Sequence, residues 1–534
     1  MQESTSKFLS PDTVDGGSGS LDSAGGGSSL SEPRPFTGLT PGRDPTLLTA
    51  AEMAEADAAA DQRGIAVIDL MEAAGRAAAD CLVGYLGTPQ ETNGEIAILC
   101  GTGNNGGDGI VMARYLAEWG YSVRLMLAAE RSALKGVLSQ VARRWPGSFD
   151  PLDTLAVRTA AVIVDGLIGA GLSRDVDGKI AEVVEAANAS NAFRFALDVP
   201  TGLCSDTGHP RGAVFKADAT ITFFRRKPGH VLAPGRYLCG GGENIHVADI
   251  GISADILEQV APQCFENTPA YWGARYPHIG PATHKYDRGH VLVLGGKEPA
   301  LGASRLAAQA ALRIGAGLCT LAAPSENYSI QASALTDIMV RRFENNFGFI
   351  GMLSDQRISA VVLGPGAGIG EKMAELVTEV VSKKRATVVD ADALTSLAGR
   401  IDHLKKRKKG NVVLTPHDGE FARLFPEIDL YPDRVEAARR AAKKSDSIIV
   451  LKGVTTIVAE PGGRATIASN APAWLSVGGT GDVLSGAIAG LLGQGMPAFE
   501  AASAGVWLHG AAAMKCGRGM IASDLLFAFK RVLP

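Results

Sequence analysis

The sequence predicts an α/β protein built as two units in tandem, each an open sheet covered by helices on both faces. Three observations predict this: chain length, a recurring alternation of short β-branched runs with Ala-rich helical stretches, and glycine clusters at strand ends. The chain has 534 residues; at roughly 100–200 residues per domain that calls for two or three cores. Hydrophobic residues make up 46% and charged residues 20%, an ordinary globular composition. Glycine, with 65 residues, stands at about 12% against a usual ~7%. Glycine at a strand end lets backbone approach a ligand closely.

Residues 1–45 are rich in Gly, Ser and Pro, with stretches such as Gly16-Gly-Ser-Gly-Ser and Gly25-Gly-Gly-Ser-Ser. Such segments cannot bury enough apolar surface to offset their ordering entropy, so a disordered, dispensable tail is expected. The first domain is expected over 46–255. Its first helix begins near Thr49-Ala-Ala-Glu, a capping pattern. Strands are expected at Glu95–Cys100, Ser122–Leu127, Ala161–Leu167, Phe193–Pro200, Ala219–Phe224 and Asn244–Ile250. Their near-continuous apolar character suits a parallel sheet buried on both faces. Segment 256–285 is polar and Pro-punctuated, and is expected to be a linker.

The second domain, 286–534, opens with the strand His290-Val-Leu-Val-Leu-Gly-Gly. Strands follow at Gly317–Ala322, Ile358–Leu363, Ala386–Val389, Asn411–Leu414, Ile448–Leu451 and Thr455–Ala459, the last two spaced as an antiparallel hairpin. Long helices follow Thr480 and Ala498. The basic run Lys405-Lys-Arg-Lys-Lys reads as a solvated helix end or turn.

Composition excludes several functions. Lys+Arg 52 against Asp+Glu 56 gives a net charge of −4, which supplies no basic field for a nucleic-acid backbone. No run of eighteen apolar residues suggests a membrane span, and the start lacks a signal-peptide pattern. Seven cysteines without C-x-x-C read as free thiols in a reducing cytoplasm.

The first chemical signal is Gly101-Thr-Gly-Asn-Asn-Gly-Gly-Asp-Gly, between the strand ending at Cys100 and a helix expected over Ile110–Trp119. Backbone N–H groups at a helix start suit a pyrophosphate. As a G-x-G-x-x-G match it is weak alone, because no ribose-binding acid is obvious beyond Glu130. Asp165 closes one strand and leads into Gly166-Leu-Ile-Gly-Ala-Gly-Leu-Ser-Arg-Asp. Asp198 closes another and leads into Val199-Pro-Thr-Gly-Leu. Either acid alone reads equally as a helix cap; both beside a glycine loop, at carboxyl ends of parallel strands, read as a site.

The second signal is Gly478-Gly-Thr-Gly-Asp-Val-Leu-Ser-Gly before an apolar helix expected over Val483–Leu492. Glycine N–H groups at a helix start form an anion hole, and an aspartate among them can take a proton from an attacking hydroxyl.

These motifs carry a resemblance. Asn104-Asn-Gly-Gly-Asp-Gly, Asp165 with Gly169-Ala-Gly-Leu-Ser-Arg, Asp198-Val-Pro-Thr-Gly and Leu70-Met-Glu-Ala-Ala-Gly resemble the NAD(P)H-hydrate epimerase domain, a Rossmann-like three-layer sandwich. The resemblance implies that the hydrated dinucleotide lies along Asn104, Asn105, Gly106, Gly107 and Asp108 and along Gly169, Ala170, Gly171, Leu172, Ser173, Arg174 and Asp175. It also implies a potassium ion on Asn105, Asp165 and Thr201, where the family usually has Ser in place of Thr201. Amide, carboxylate and hydroxyl oxygens are hard ligands, right for such a cation and wrong for zinc. Asp198 is the candidate acid/base.

The second motif, with Ala522-Ser-Asp, resembles the ribokinase-like fold, whose members act on sugars, vitamins and pyrimidines. Thr283-His-Lys-Tyr-Asp-Arg-Gly-His, Gly302-Ala, Leu312-Arg-Ile-Gly-Ala-Gly-Leu, Leu363-Gly-Pro-Gly-Ala-Gly, Val389-Asp-Ala-Asp-Ala-Leu, Leu414-Thr-Pro-His-Asp-Gly-Glu-Phe and Leu451-Lys-Gly narrow it to NAD(P)H-hydrate dehydratase. The resemblance implies that Ala303, Gly366, His417 and Asp482 contact the hydrate, with Asp482 as base. Lys452, Gly453, Val454, Thr455, Thr456 and Gly481 would contact ADP, which brings Mg2+. His417 alone would read as a packed loop histidine; inside Thr-Pro-His-Asp-Gly-Glu the reading reverses. Thr455 stands where the family usually has Gly, and a side chain there is expected to alter nucleotide fit.

The sequence therefore reads as a fused, cytoplasmic repair enzyme, expected to be a homo-oligomer with small-molecule partners and neither nucleic acid nor membrane. One domain would interconvert the R and S forms of hydrated NADH and NADPH, and the other would dehydrate the S form with ADP. Two rivals stay open: a vitamin or sugar kinase with a non-catalytic dinucleotide-binding N-terminal domain, and a non-catalytic scaffold.

Overall fold

Period-2 patterning builds both sheets. In Ile96–Cys100, residues Ile96, Ile98 and Cys100 enter one apolar cluster while Ala97 and Leu99 enter another on the opposite face. In His290–Leu294, Val291 and Val293 likewise part from Leu292 and Leu294. A strand buried on both faces belongs in a parallel sheet between helical layers. The computed structural model describes residues 44–92, 94–407 and 411–534. The expected tail thus falls almost wholly outside the described residues. Of the basic run, Lys405–Arg407 end the helix Ile401–Arg407, and the rest lies outside.

Among the described residues the first sheet has seven strands, all parallel. Their order is Asp150–Pro151, Val123–Leu127, Ile96–Cys100, Val162–Gly166, Phe193–Leu197, Ala219–Phe223 and Ile245–Ala248. Strand order reverses between Ile96–Cys100 and Val162–Gly166. Their register pairs Leu99 with Asp165 and Cys100 with Gly166, so the glycine motif and Asp165 meet at this switch point, where open α/β sheets bind ligands. Thr49 caps the first helix, Ala50–Gln62: its hydroxyl accepts from Glu52 N at 3.2 Å, and Thr49 N donates to the Glu52 carboxylate at 2.8 Å.

Among the described residues the second sheet has eleven strands. The parallel series Met339–Phe343, Leu318–Pro324, His290–Leu294, Ile358–Leu363, Ala386–Val389, Val412–Leu414 and Ile448–Leu451 is extended by antiparallel Thr456–Ala459 and Ala465–Ala468. The expected hairpin is present. Met339–Phe343 and Ala465–Ala468 are additions to the expected strands.

The segment 256–285 is more than a connection. It forms the helix Ile256–Val260, the strand Cys264–Glu266 and the helix Pro269–Trp272. Cys264–Glu266 pairs parallel to Ala465–Ala468, and Thr46–Leu47 pairs antiparallel to it in turn. Residues expected in the first domain and its linker thus complete the sheet of the second. Trp272 is fully buried, and its indole N–H reaches Asn267 Oδ1 at 3.2 Å. Asn267 Nδ2 donates to the Ser503 carbonyl at 2.8 Å. We expect Asn267→Ala to leave the buried Trp272 indole N–H unpaired and to cost about 1–3 kcal/mol, read as a lowered denaturant midpoint of the tryptophan-monitored transition.

Candidate functional site

Two acidic sites lie at the starts of helices above strand ends. The expected glycine loop is itself helix: Asn104–Glu118 begins inside it, with Gly103 as N-cap. Helix rather than loop forms because the glycines allow close packing. A Cβ on Gly106 would stand 2.0 Å from the Gly101 carbonyl oxygen, and one on Gly107 2.4 Å from Met71 Sδ. Gly106 and Gly107 therefore back the site, whereas Asn104, Asn105 and Asp108 line a cavity of about 520 Å3. Gly169, Ala170, Gly171, Leu172, Ser173, Arg174 and Asp198 line it too. Asp175 does not: it is exposed and pairs with Arg211 at 3.1 Å.

Asp165 and Thr201 lie beneath the cavity, both fully buried. Thr201 Oγ1 and Leu167 N share Asp165 Oδ1 at 2.7 and 3.1 Å, and Thr201 N donates to Oδ2 at 2.7 Å. Burial pushes the Asp165 carboxyl up to about 6, against these hydrogen bonds. Asn105 is 8% exposed, and both atoms of its amide are buried without a hydrogen-bond partner among the described residues.

Asp198 has a left-handed backbone, φ 58°. Its Oδ1 accepts from Lys227 Nζ at 2.5 Å and Thr222 Oγ1 at 2.9 Å, and its Oδ2 from Ala170 N at 3.0 Å. Burial acts to raise this carboxyl, but the Lys227 ammonium and its hydrogen bond outweigh it and hold the group below the usual range. His230 Nε2 contacts the Asp198 carbonyl at 2.8 Å, and burial followed by Lys227 pushes its imidazole down to about 3, so it stays neutral. Sequence reasoning missed Lys227, His230 and Asp57, which also lines the cavity. Lys227 had a signal in Arg225-Arg-Lys-Pro-Gly after an apolar strand.

The second helix also starts earlier than expected, at Thr480, with Gly479 as N-cap at φ 88°. Gly481 and Asp482 are thereby in its first turn. A helix N-terminus favours an ionised Asp482, yet burial first, then Asp390 and Asp392, outweigh it and Lys452, pushing the carboxyl up to about 7. Lys452 Nζ pairs with Asp390 Oδ1 at 3.0 Å and lies 3.8 Å from Glu420 Oε2. Burial pulls this ammonium down, but Asp390, Glu420 and Asp482 raise it above its ordinary value. Ser485 donates to Asp390 Oδ2. A Cβ on Gly481 would lie 3.6 Å from Lys452 Nζ, so these two residues do converge.

His417 caps the helix Asp418–Leu424, accepting from Gly419 N at 3.0 Å, and bridges Lys452 through the backbone. Gly366, at φ 64°, packs against the Ala300 carbonyl just before the helix Leu301–Arg313, which carries Ala303. Val454 is 69% exposed and Thr456 begins a strand. Gly453 packs against Arg434, whose Nη2 donates to the Lys452 carbonyl at 3.3 Å. Thr455 differs from expectation: it is buried, and its hydroxyl accepts from Ala233 N of the first domain at 3.0 Å. That side chain serves the domain contact. The acids Asp390 and Glu420 lay inside motifs already singled out, but their pairing with Lys452 is a tertiary fact.

Fold and sites together define a two-domain α/β nucleotide-handling enzyme, with a Rossmann-like unit ahead of a ribokinase-like one. A family model described as NAD(P)H-hydrate dehydratase matches residues 291–526, and one described as YjeF-related protein N-terminus matches residues 67–229. The bifunctional NAD(P)H-hydrate repair enzyme Nnr of Salinibacter ruber is 36% identical over 526 residues, 91% of this chain and 96% of that relative. Its counterpart in Escherichia coli is 34% identical over 490 residues, 89% and 91% of the two chains. A solved structure of an ADP/ATP-dependent NAD(P)H-hydrate dehydratase from Bacillus subtilis is 28% identical, covering 50% of this chain and 96% of its own, with a TM-score of 0.45. The chain belongs to the family of bifunctional NAD(P)H-hydrate repair enzymes.

The backbone approach at Gly106 yields a test. Gly106→Ala puts a methyl into the Gly101 carbonyl, and overpacking of this kind costs about 1–3 kcal/mol. Activity of the first domain should collapse while that of the second is retained, which separate assays of the two reactions on one preparation would read.

Proposed function

We propose that this chain repairs hydrated nicotinamide dinucleotides at two sites: the first domain interconverts the R and S epimers at C6, and the second dehydrates the S epimer with ADP. The observation that carries this reading is that both acidic sites stand at helix N-termini, in a chain that aligns with bifunctional relatives over nine-tenths of its length. A stereospecific dehydratase alone strands the other epimer, so fusing the two activities is chemically sensible.

In the second site, Asp482 would accept the proton of the C6 hydroxyl as its oxygen attacks the terminal phosphorus of ADP, releasing AMP. N–H groups at the start of the helix Thr480–Gly493 would stabilise charge on the transferring phosphoryl group. Phosphate then leaves C6 with its electron pair, pushed by the ring nitrogen, and loss of a C5 proton restores the dihydropyridine. Ala303, Gly366 and His417 would border the hydrate. Lys452, Gly453, Val454, Thr456 and Gly481 would border the nucleotide, with Thr455 supporting that loop from behind. Magnesium would arrive on the nucleotide phosphates and neutralise part of their charge. Among the described residues no cluster of three or more His, Cys, Asp or Glu fits a dedicated metal cage.

In the first site the donor set fits potassium: a buried Asn105 amide and a buried Asp165 carboxylate, the one without a hydrogen-bond partner and the other without a cationic side-chain partner among the described residues, and the Thr201 hydroxyl. When bound, the ion supplies positive charge under the dinucleotide. Asn104, Asp108 and residues Gly169–Arg174 would hold the substrate around it. Unbridged cysteines, seven in all, support a reducing compartment such as the cytoplasm. No helix among the described residues is long and apolar enough to cross a membrane.

The overall test mixes purified protein, racemic hydrated NADH and ADP. Full recovery of NADH absorbance is expected; phosphorylation without recovery would favour a vitamin or sugar kinase. Asp482→Asn should slow dehydration at least about 100-fold, the lower end of general-base catalysis, with epimerisation unchanged. Because the Asp482 carboxyl is pushed up to about 7, its base form is lost as pH falls through that value. Dehydration should then decline on the acid side of neutrality, and a kcat/KM profile would check it. Asp165→Ala or Thr201→Val should weaken epimerisation at least about tenfold through lost cation affinity and leave dehydration intact; potassium titration of R-to-S conversion reads this.

A further inference from the structure

Asp198, the expected acid/base of the first site, is poorly placed to carry protons. Both of its oxygens accept hydrogen bonds, from Lys227, Thr222 and Ala170. The Lys227 ammonium, 1% exposed, keeps it ionised. Two other carboxyls line the same cavity: Asp57 from the helix Ala50–Gln62 and Asp108 from the helix Asn104–Glu118. Neither side chain has a hydrogen-bond partner among the described residues. Asp108 is 8% exposed, and beside it the unpartnered Asn105 amide opens on the same space.

Charge decides the protonation. Among the described residues three carboxyls, Asp57, Asp108 and Asp198, share one buried ammonium, Lys227, and Arg174 at the rim is the remaining charged residue lining the cavity. Like charges at close range in a low dielectric cannot all ionise. Burial first, then Asp198 and Asp57, push the Asp108 carboxyl well above its ordinary range. Burial pushes Asp57 up to about 6, with Lys227 opposing. The two environments separate an acid from a base, the arrangement that assigns proton-transfer roles.

We propose that Asp57 and Asp108 are the proton-transferring pair of the epimerase, with Asp198 and Lys227 as positioning residues. This rests on the epimerase reading of the first domain. The Asp57 carboxylate takes the C6 hydroxyl proton as that oxygen forms a carbonyl; the C6–N1 bond breaks, and its electron pair on N1 takes the Asp108 proton. The opened product is an aldehyde joined to an enamine. Rotation about C5–C6 presents the other carbonyl face. N1 then re-adds, returning its proton to Asp108, while Asp57 returns a proton to the oxygen. One proton leaves and one returns at each site, with no oxidant or reductant.

The test uses the full chain with Asp57→Asn, Asp108→Asn and the double variant, following R-to-S conversion by chromatography from about pH 6 to about pH 9, with dehydration of the S epimer as the folding control. Each single variant should lose about 100-fold or more in kcat with KM nearly unchanged, and the double variant should be little worse than either, as for residues acting as a unit. Asp57→Asn should also abolish the acid limb of the profile. Near-normal kcat in either single variant, or a loss confined to KM with the wild-type pH profile kept, overturns the pair. Failure of the wild-type chain to epimerise at all would overturn the epimerase reading itself, a distinguishable result.

Discussion

Lys227 makes the heaviest demand in the first domain. Its ammonium is 1% exposed, and taking such a charge out of water costs several kcal/mol unless an opposite charge is fixed beside it. Asp198 at 2.5 Å is that charge, and fixing it fixes much else. Its backbone takes φ 58°, its second oxygen holds Ala170 N, and its carbonyl meets His230. The chain beyond His230 enters the other domain: Val231 and Leu232 join the apolar cluster of the second sheet, and Ala233 N bonds Thr455. One buried ion pair thus orders the cavity wall and the segment that meets Thr455 in the second domain.

The two sites use the same residue type in opposite electrostatic settings. Asp198 faces a single buried cation that pairs with no other carboxylate among the described residues, and its carboxyl is held low. Asp482 also has a lysine in range, but Lys452 sits on Asp390 at 3.0 Å and near Glu420. Its charge is already spent on them. Asp482 is left with burial and two like charges, and rises toward neutrality. An ion pair next door, not a residue's own neighbours alone, therefore decides which aspartate can take up a proton.

Much of this was legible from the sequence. Buried strands announce themselves by β-branched runs, so most strands of both sheets were expected within about three residues, apart from the short or polar Thr46–Leu47, Asp150–Pro151, Cys264–Glu266 and Met339–Phe343 and the overlooked Ala465–Ala468. Asn105, Asp165 and Asp198 follow strands and glycines, and local pattern found them. Glycine misled at the helix starts: Asn104–Glu118 and Thr480–Gly493 tolerate it because close packing, invisible in sequence, offsets its low helix propensity. Asp57 was missed because nothing around an aspartate on an Ala-rich helix says which cavity it faces; Asp390 stood inside a motif already singled out, but nothing there announced its pairing with Lys452. Thr455 was assigned to the nucleotide only by family resemblance, and the fold shows its hydroxyl turned toward Ala233.

Strand Cys264–Glu266, which closes over Ala465–Ala468 and carries Thr46–Leu47 on its outer side, has a consequence for how the halves can be separated. A dehydratase half begun at residue 286 would lack both strands. Ala465–Ala468, with every residue buried, would become a bare sheet edge, the kind that recruits neighbouring chains into aggregates. A truncation that keeps residues from about 262 onward would retain the covering strand, with Asn267 and Trp272 to hold it. The seam between the two catalytic units therefore lies upstream of the one that amino-acid composition marks, and the N-terminal half lends its partner a selvedge.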